Sequence, residues 1–333
     1  MKTLIQKLVE TKGPSGYENE IRQVIEQEIA GLGDEVKTDP LGNLIVRKGT
    51  STKGGLKVLM TAHMDEIGVI VTHIDDKGFA RFTNIGGVSP LTCIGGRVIF
   101  MNNARGVIAS ERLDDPTKAP KLEQLYIDLG ATTAEDCPVK VGDTGVFDRG
   151  FMELGNRLVS KAMDDRIAVA ILIETLKALK QTPHELYFAF SVQEEVGLRG
   201  AVTAAYGVDP DLGIAVDVTR TGDTPKCARM AVELGKGPAV KVRDGRMLAD
   251  PRVIRLMVET AQKNNLPYQL EVLEGGTTDA AAIQLTHSGV PSGCISIPCR
   301  YVHHPSEMVD INDVKNAVSL LTAMVEKPIS LSF

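Results

Sequence analysis

Residues 185–197 read ELYFAFSVQEEVG. The apolar run from Leu186 to Val192 has the length and composition of a buried strand. It ends in two adjacent carboxylates, Glu194 and Glu195, and then in Gly197, where the chain is free to turn. Two neighbouring carboxylates repel each other unless a cation or a shared proton offsets the cost. Taken alone, this is a solvated turn that happens to hold two acids. Three more apolar strands that end in the same way make it a pattern. Residues 56–62 lead into His63, Met64, Asp65 and Glu66. Residues 211–218, DLGIAVDV, carry Asp217 near their end. Residues 293–298, GCISIP, lead into a turn that holds His303 and His304.

Helical stripes alternate with these strands. Leu4, Ile5, Leu8 and Val9 form one, and Ile21, Val24, Ile25 and Ile29 a second. Residues 167–179 read as a strong helix that Asp164 and Asp165 are placed to cap. Further helices are predicted over 251–264, with Pro at the start, over 275–288 and over 312–326. Between residues 69 and 159 the texture changes to short β-like runs punctuated by glycine, among them VIVTHI, FARFTNI, GRVIFM, RGVIAS, KLEQLYIDLG and TGVFDR. One short helix is predicted near 133–136. The expected fold class is α/β. Residues 1–66 plus 157–333 are expected to form a doubly wound mixed sheet, and residues 67–156 an inserted small β-barrel (PDZ-like) domain.

Bulk composition narrows the function classes. The chain has 333 residues, 43% of them hydrophobic, and a net charge of −6. Such a balance offers nothing to nucleic acid or to an anionic membrane surface. Aromatic residues make up 4% with no Trp, which argues against base- or sugar-stacking platforms. The five cysteines are odd in number and lack CxxC spacing, as expected of reduced thiols in a cytoplasmic protein. The first residues are too charged to read as a signal peptide, and no stretch reaches the ~20 apolar residues of a membrane span.

In an open α/β sheet, ligands gather outside the carboxyl ends of the strands. His63, Asp65, Glu194, Glu195, Asp217, His303 and His304 all stand at such ends, with Asp164 and Asp165 in the same layer. Each has a bland explanation, as a surface histidine, a helix cap or a satisfied turn. Their coincidence on four strands does not. Imidazole and carboxylate suit zinc, cobalt or manganese. Two histidines with three carboxylates exceed what one open tetrahedral ion needs and match two ions sharing a carboxylate. An acid left over would act on the water.

The chain resembles the M42 family of metallo-aminopeptidases along nearly its whole length. The matching motifs are PSGYE (14–18), DPLGN (39–43), AHMDEIG (62–68), LYIDLGA (125–131), VGD (141–143), KAMDDR (161–166), VQEEVGLRGA (192–201), AVDVT (215–219), GGTTDAAAI (275–283) and PCRYVHHPSE (298–307). The resemblance implies a dinuclear aminopeptidase that cuts N-terminal residues from short peptides, with 1–66 plus 157–333 as its catalytic domain and 67–156 serving dimerisation or assembly, and a homo-oligomer, a dodecamer built from dimers. It implies Glu194 as general base and Asp65 as the group orienting His63. His63 and Asp217 would hold one ion, Glu195 and His303 the other, and Asp164 would bridge them across a cis Asp164–Asp165 bond. Zinc or cobalt are the expected ions, with manganese the third candidate. Asp165 remains a substitute for Asp164, and His304 for His303. Arg220 either favours acidic first residues or pairs with Asp223. The alternatives are a non-catalytic peptide-binding or assembly protein on the same scaffold, and an N-acyl deblocking hydrolase.

Overall fold

The computed structural model describes residues 1–115 and 117–331. Its centre is the strand Leu212–Thr219, buried at all eight positions. Lys57–His63 lies parallel to it on one side and Ser292–Arg300 on the other, and Glu185–Ser191 runs parallel to Lys57–His63. All four therefore end at the same edge. Strands covered on both faces read as unbroken apolar runs, which is why these four stand out in the sequence. Helices Lys2–Glu10, Met163–Ala178 and Ile311–Val325 pack on one face. Helices Arg199–Val208 and Asp279–Gln284 cover the other. Antiparallel strands extend the sheet on both flanks to nine: Glu35–Thr38 and Leu44–Lys48 beyond Glu185–Ser191, and Glu307–Asp310, Arg157–Ser160 and Met152–Leu154 beyond Ser292–Arg300. Ala239–Arg243 and Gln269–Val272 branch from Ser292–Arg300.

Six strands close a separate antiparallel barrel in the order Gly68–Ile74, Ala80–Ile85, Leu125–Asp128, Arg105–Ser110, Arg97–Phe100, Thr144–Phe147. It has its own core, with Val69, Phe82, Phe100, Ile108 and Ile127 inside. Closure leaves no free edge. The chain is back in the large sheet by Met152–Leu154.

Two local expectations fail. Residues 133–136 form no helix, because the Asp136 carboxylate accepts the backbone N–H groups of Thr132 and Thr133 and the Thr132 hydroxyl, closing a turn instead. Asp164 and Asp165 do not cap the helix Met163–Ala178. Ala162 precedes that helix in the left-handed region with no side-chain cap, both aspartates depart from helical angles, and the peptide bond between them is cis. Real caps stand elsewhere: Asp250 accepts from Arg252 N at 2.8 Å and Asp310 from Asn312 N at 2.7 Å. Among the described residues, no helix is long and apolar enough to cross a membrane.

Candidate active site

The shared strand edge brings His63, Asp164, Asp165, Glu194, Glu195, Asp217 and His303 together. Asp164 is central. Its Oδ1 lies 3.0 Å from His63 Nε2 and its Oδ2 3.3 Å from His303 Nε2. His303 Nε2 is also 3.3 Å from Glu195 Oε2. Ligand atoms of His63, Asp164 and Glu195 fall within 4.8 Å of one another, as do those of His63, Asp165 and Asp217. His304 turns elsewhere, with Nδ1 3.1 Å from the Val302 carbonyl. Asp165 also accepts the His63 backbone N–H at 3.2 Å.

The ring of His63 is oriented from behind. Its Nδ1 is 3.2 Å from the Asp65 carbonyl and 3.4 Å from Asp65 Oδ1. Two acceptors there place a proton on Nδ1 and leave Nε2 facing Asp164. A bare nitrogen 3.0 Å from a carboxylate oxygen needs a cation or a proton between them. The Asp65 carboxylate also fixes the tip of the neighbouring strand. It accepts the backbone N–H groups of Glu194 at 3.0 Å and Glu195 at 3.2 Å, and the Ser15 hydroxyl at 2.6 Å. Glu194 carries its Oε2 to 3.9 Å from His63 Nε2.

The charges fit bound cations. Burial opposes charge on His63, yet Glu194, Asp164 and Asp65 raise its pKa well above the usual value. Burial also opposes His303, and Asp164 and Glu195 push it up to about 11. Asp164 is held down against burial by His303 and His63. Burial and neighbouring carboxylates raise Glu194, Asp217 and Asp165 well above the ordinary range. Glu195 Oε1 and Asp165 Oδ1 are buried with no hydrogen-bond partner. A carboxylate cluster with orphaned oxygens and two imidazoles is a donor set that hard and borderline divalent ions satisfy.

Several supports had no role assigned from the sequence. Glu307, buried to 1% exposure, accepts the backbone N–H of Asp164 at 2.9 Å and of His303 at 2.7 Å, one on each oxygen. Glu18 accepts the N–H of Gln193 at 3.1 Å, and Glu66 binds Lys161 Nζ at 2.8 Å. Gly86 and Gly87, just past a barrel strand, lie against Glu195 and His303; a Cβ on Gly87 would sit 2.2 Å from His303 Nδ1. Beside the acids, Lys241 pairs with Glu271 at 2.5 Å, both fully buried. A cavity of about 290 Å³ opens onto Asp164, Glu194, Glu195, Asp217, Lys241 and His303.

Residues 42–320 match the M42 glutamyl aminopeptidase family. The chain is 49% identical to a putative aminopeptidase of Acetivibrio thermocellus, covering 97% of each chain. It is 35% identical to the lysyl aminopeptidase of Pyrococcus furiosus, over 97% of this chain and 96% of that one. Among solved structures, an aminopeptidase from Desulfurococcus kamchatkensis superposes with TM-score 0.94 at 41% identity, over 98% of this chain and 94% of that one. A TET1 peptidase of Pyrococcus horikoshii, described as assembling into a tetrahedron or a large octahedral shell, superposes with TM-score 0.89 at 32% identity, over 98% and 99%.

Proposed function

The chain belongs to the M42 family and is an aminopeptidase, and on that premise we propose that it uses two divalent metal ions, with Glu194 as its general base. The observation that carries this is Asp164, whose two carboxylate oxygens each face a different histidine. His63 and Asp217 would hold one ion, Glu195 and His303 the other, with Asp164 between. When bound, such a pair lowers the pKa of water and offsets charge developing on a peptide carbonyl. Glu194, at the cavity wall and anchored through its backbone to Asp65, takes the proton from the attacking water and gives it to the leaving amine. Asp65 keeps the His63 ring in place. The α-amine of a short peptide is met by the acids of the same cavity, Asp217 and Glu194.

Chelation followed by addition of zinc, cobalt or manganese tests the reading, with initial rates on one peptide and its N-acetylated twin. Metal-dependent cleavage of the free peptide alone is the expected result. Cleavage of both would make the chain a deblocking hydrolase. No cleavage with any of the three metals, across acidic, basic and neutral first residues, would overturn metal-dependent catalysis. We assign the barrel to assembly, because Leu91, Ile94 and Val107 expose 65%, 46% and 47% of their surface on it, and because a solved relative is described as a dodecamer. A dodecamer built from dimers is expected in light scattering, and a monomer in the presence of metal would contradict it.

A further inference from the structure

A second recess, about 530 Å³, adjoins the metal cavity, and the two share Arg220, Leu273, Gly275 and Val302 in their walls. Its charged lining is Arg220, Arg229, Arg300 and Glu274. Arg300 is already committed: its Nε and Nη2 donate to the two oxygens of Asp223 at 3.0 and 2.7 Å. Asp223 also accepts the Leu234 N–H at 3.0 Å. Arg300 holds this carboxyl down to about 2 although burial opposes it. The surface pairing of Arg220 with Asp223 that the sequence allowed is therefore displaced. No hydrogen bond or ion pair holds the guanidinium of Arg220 or Arg229 among the described residues. Two uncommitted guanidiniums against the single carboxylate of Glu274 leave this recess positive, directly beside a cavity walled by Asp164, Glu194, Glu195 and Asp217.

A peptide crossing from one recess to the other meets acids where its amine would sit and arginines beyond. We propose that the recess is a subsite for a carboxylate of the bound peptide, held by Arg220 and Arg229. Guanidinium and carboxylate match in a two-pronged, charge-assisted pair. The carboxylate has two possible sources with the same chemistry, the C-terminus of a short peptide and an acidic side chain. The proposal rests on reading the metal cavity as the place where the N-terminal residue is cut.

The test compares the metal-loaded wild type with an Arg229→Gln variant, changed at a residue that lines the second recess and not the metal cavity, on two peptide pairs. Leu-Ala-Ala and its C-terminal amide differ only in the terminal charge. Glu-Ala-amide and Gln-Ala-amide differ only in the side chain. The wild type is expected to show a KM about tenfold lower for the charged member of one pair. The variant loses that preference while kcat on neutral peptides is unchanged. The pair that responds identifies the source. A wild type indifferent to charge in both pairs, a variant that keeps the preference, or a variant equally impaired on neutral peptides overturns the subsite. If nothing is cleaved, calorimetry on the same preparations reads binding instead. Discrimination without cleavage would sink the aminopeptidase reading and keep the subsite; cleavage without discrimination would do the reverse.

Discussion

Glu194 and Glu307 are both acids of the same site, and their surroundings give them different work. Glu194 lines the open cavity with one oxygen 3.9 Å from His63, whereas Glu307 spends both oxygens on backbone N–H groups. Glu194→Gln is therefore expected to lower kcat by ~10²–10⁴-fold with metal content unchanged by elemental analysis; near-normal turnover would sink its role as base. Glu307→Gln replaces one acceptor with an amide that cannot accept, so one of the two N–H groups loses its partner. Metal affinity should fall by about 10–100-fold in competition with a chelating dye, with far-UV dichroism preserved. Unchanged affinity would mean that the clamp is not needed. The two acids also differ in how far they could be read beforehand. Glu194 follows an apolar strand, so its setting is local and visible in the string of residues. Glu307 binds Asp164 across 143 positions, and although it closes the PCRYVHHPSE motif, nothing in that string shows that its acid is buried. The roles of Ser15, Glu18 and the Lys241–Glu271 pair were hidden for the same reason, since each acts on a partner brought near only by the fold.

The inserted barrel touches the catalytic layer at one informative place, the turn containing Gly86 and Gly87. Gly86 has φ +71, and an added Cβ there would press on Glu195. Gly87→Ala places its methyl 2.2 Å from His303 Nδ1, so either the imidazole or the turn must move. A displacement of that kind is expected to lower kcat by about 10²-fold in a steady-state assay. The control is Gly207→Ala, in the helix Arg199–Val208, where a Cβ meets nothing within 4 Å. That change should leave rates alone and raise stability by about 0.5–1 kcal/mol in urea unfolding. Equal rates for both variants would show that the barrel turn does not constrain the site. At this scale, length and burial decided what could be foreseen. The four parallel strands announce themselves because both faces are covered. Glu307–Asp310 and Gln269–Val272 are four residues each, too short to carry a period. The turn at 132–136 looks helical until the Asp136 carboxylate is seen to bind the backbone instead.

For the whole molecule, the buried charges make stability depend on metal and on pH together. Without metal, Asp165, Glu194, Asp217 and Glu307 have pKa values raised above those of the unfolded chain, chiefly by burial, and His63 and His303 are raised by the acids around them. Above the ordinary carboxylate range the native state thus binds more protons than the unfolded one, so stability falls as pH rises. The opposite contribution from Asp164 and Asp65, which are lowered, is lost only below that range. The metal-free Tm is expected to drop from pH 5 to pH 8, and added metal should raise Tm more at pH 8. A metal-free Tm that climbs over that interval would contradict the charge distribution described. The positions of the site residues also carry a meaning in time. The proposed ligands begin at His63 and end at His303, Glu307 clamps the backbones of Asp164 and His303, and Ser15 steadies Asp65. A chain leaving the ribosome thus makes Ser15 long before it makes Glu307. Until then the proposed centre lacks a wall, and a copy halted before Glu307 is expected to leave the peptides around it uncut.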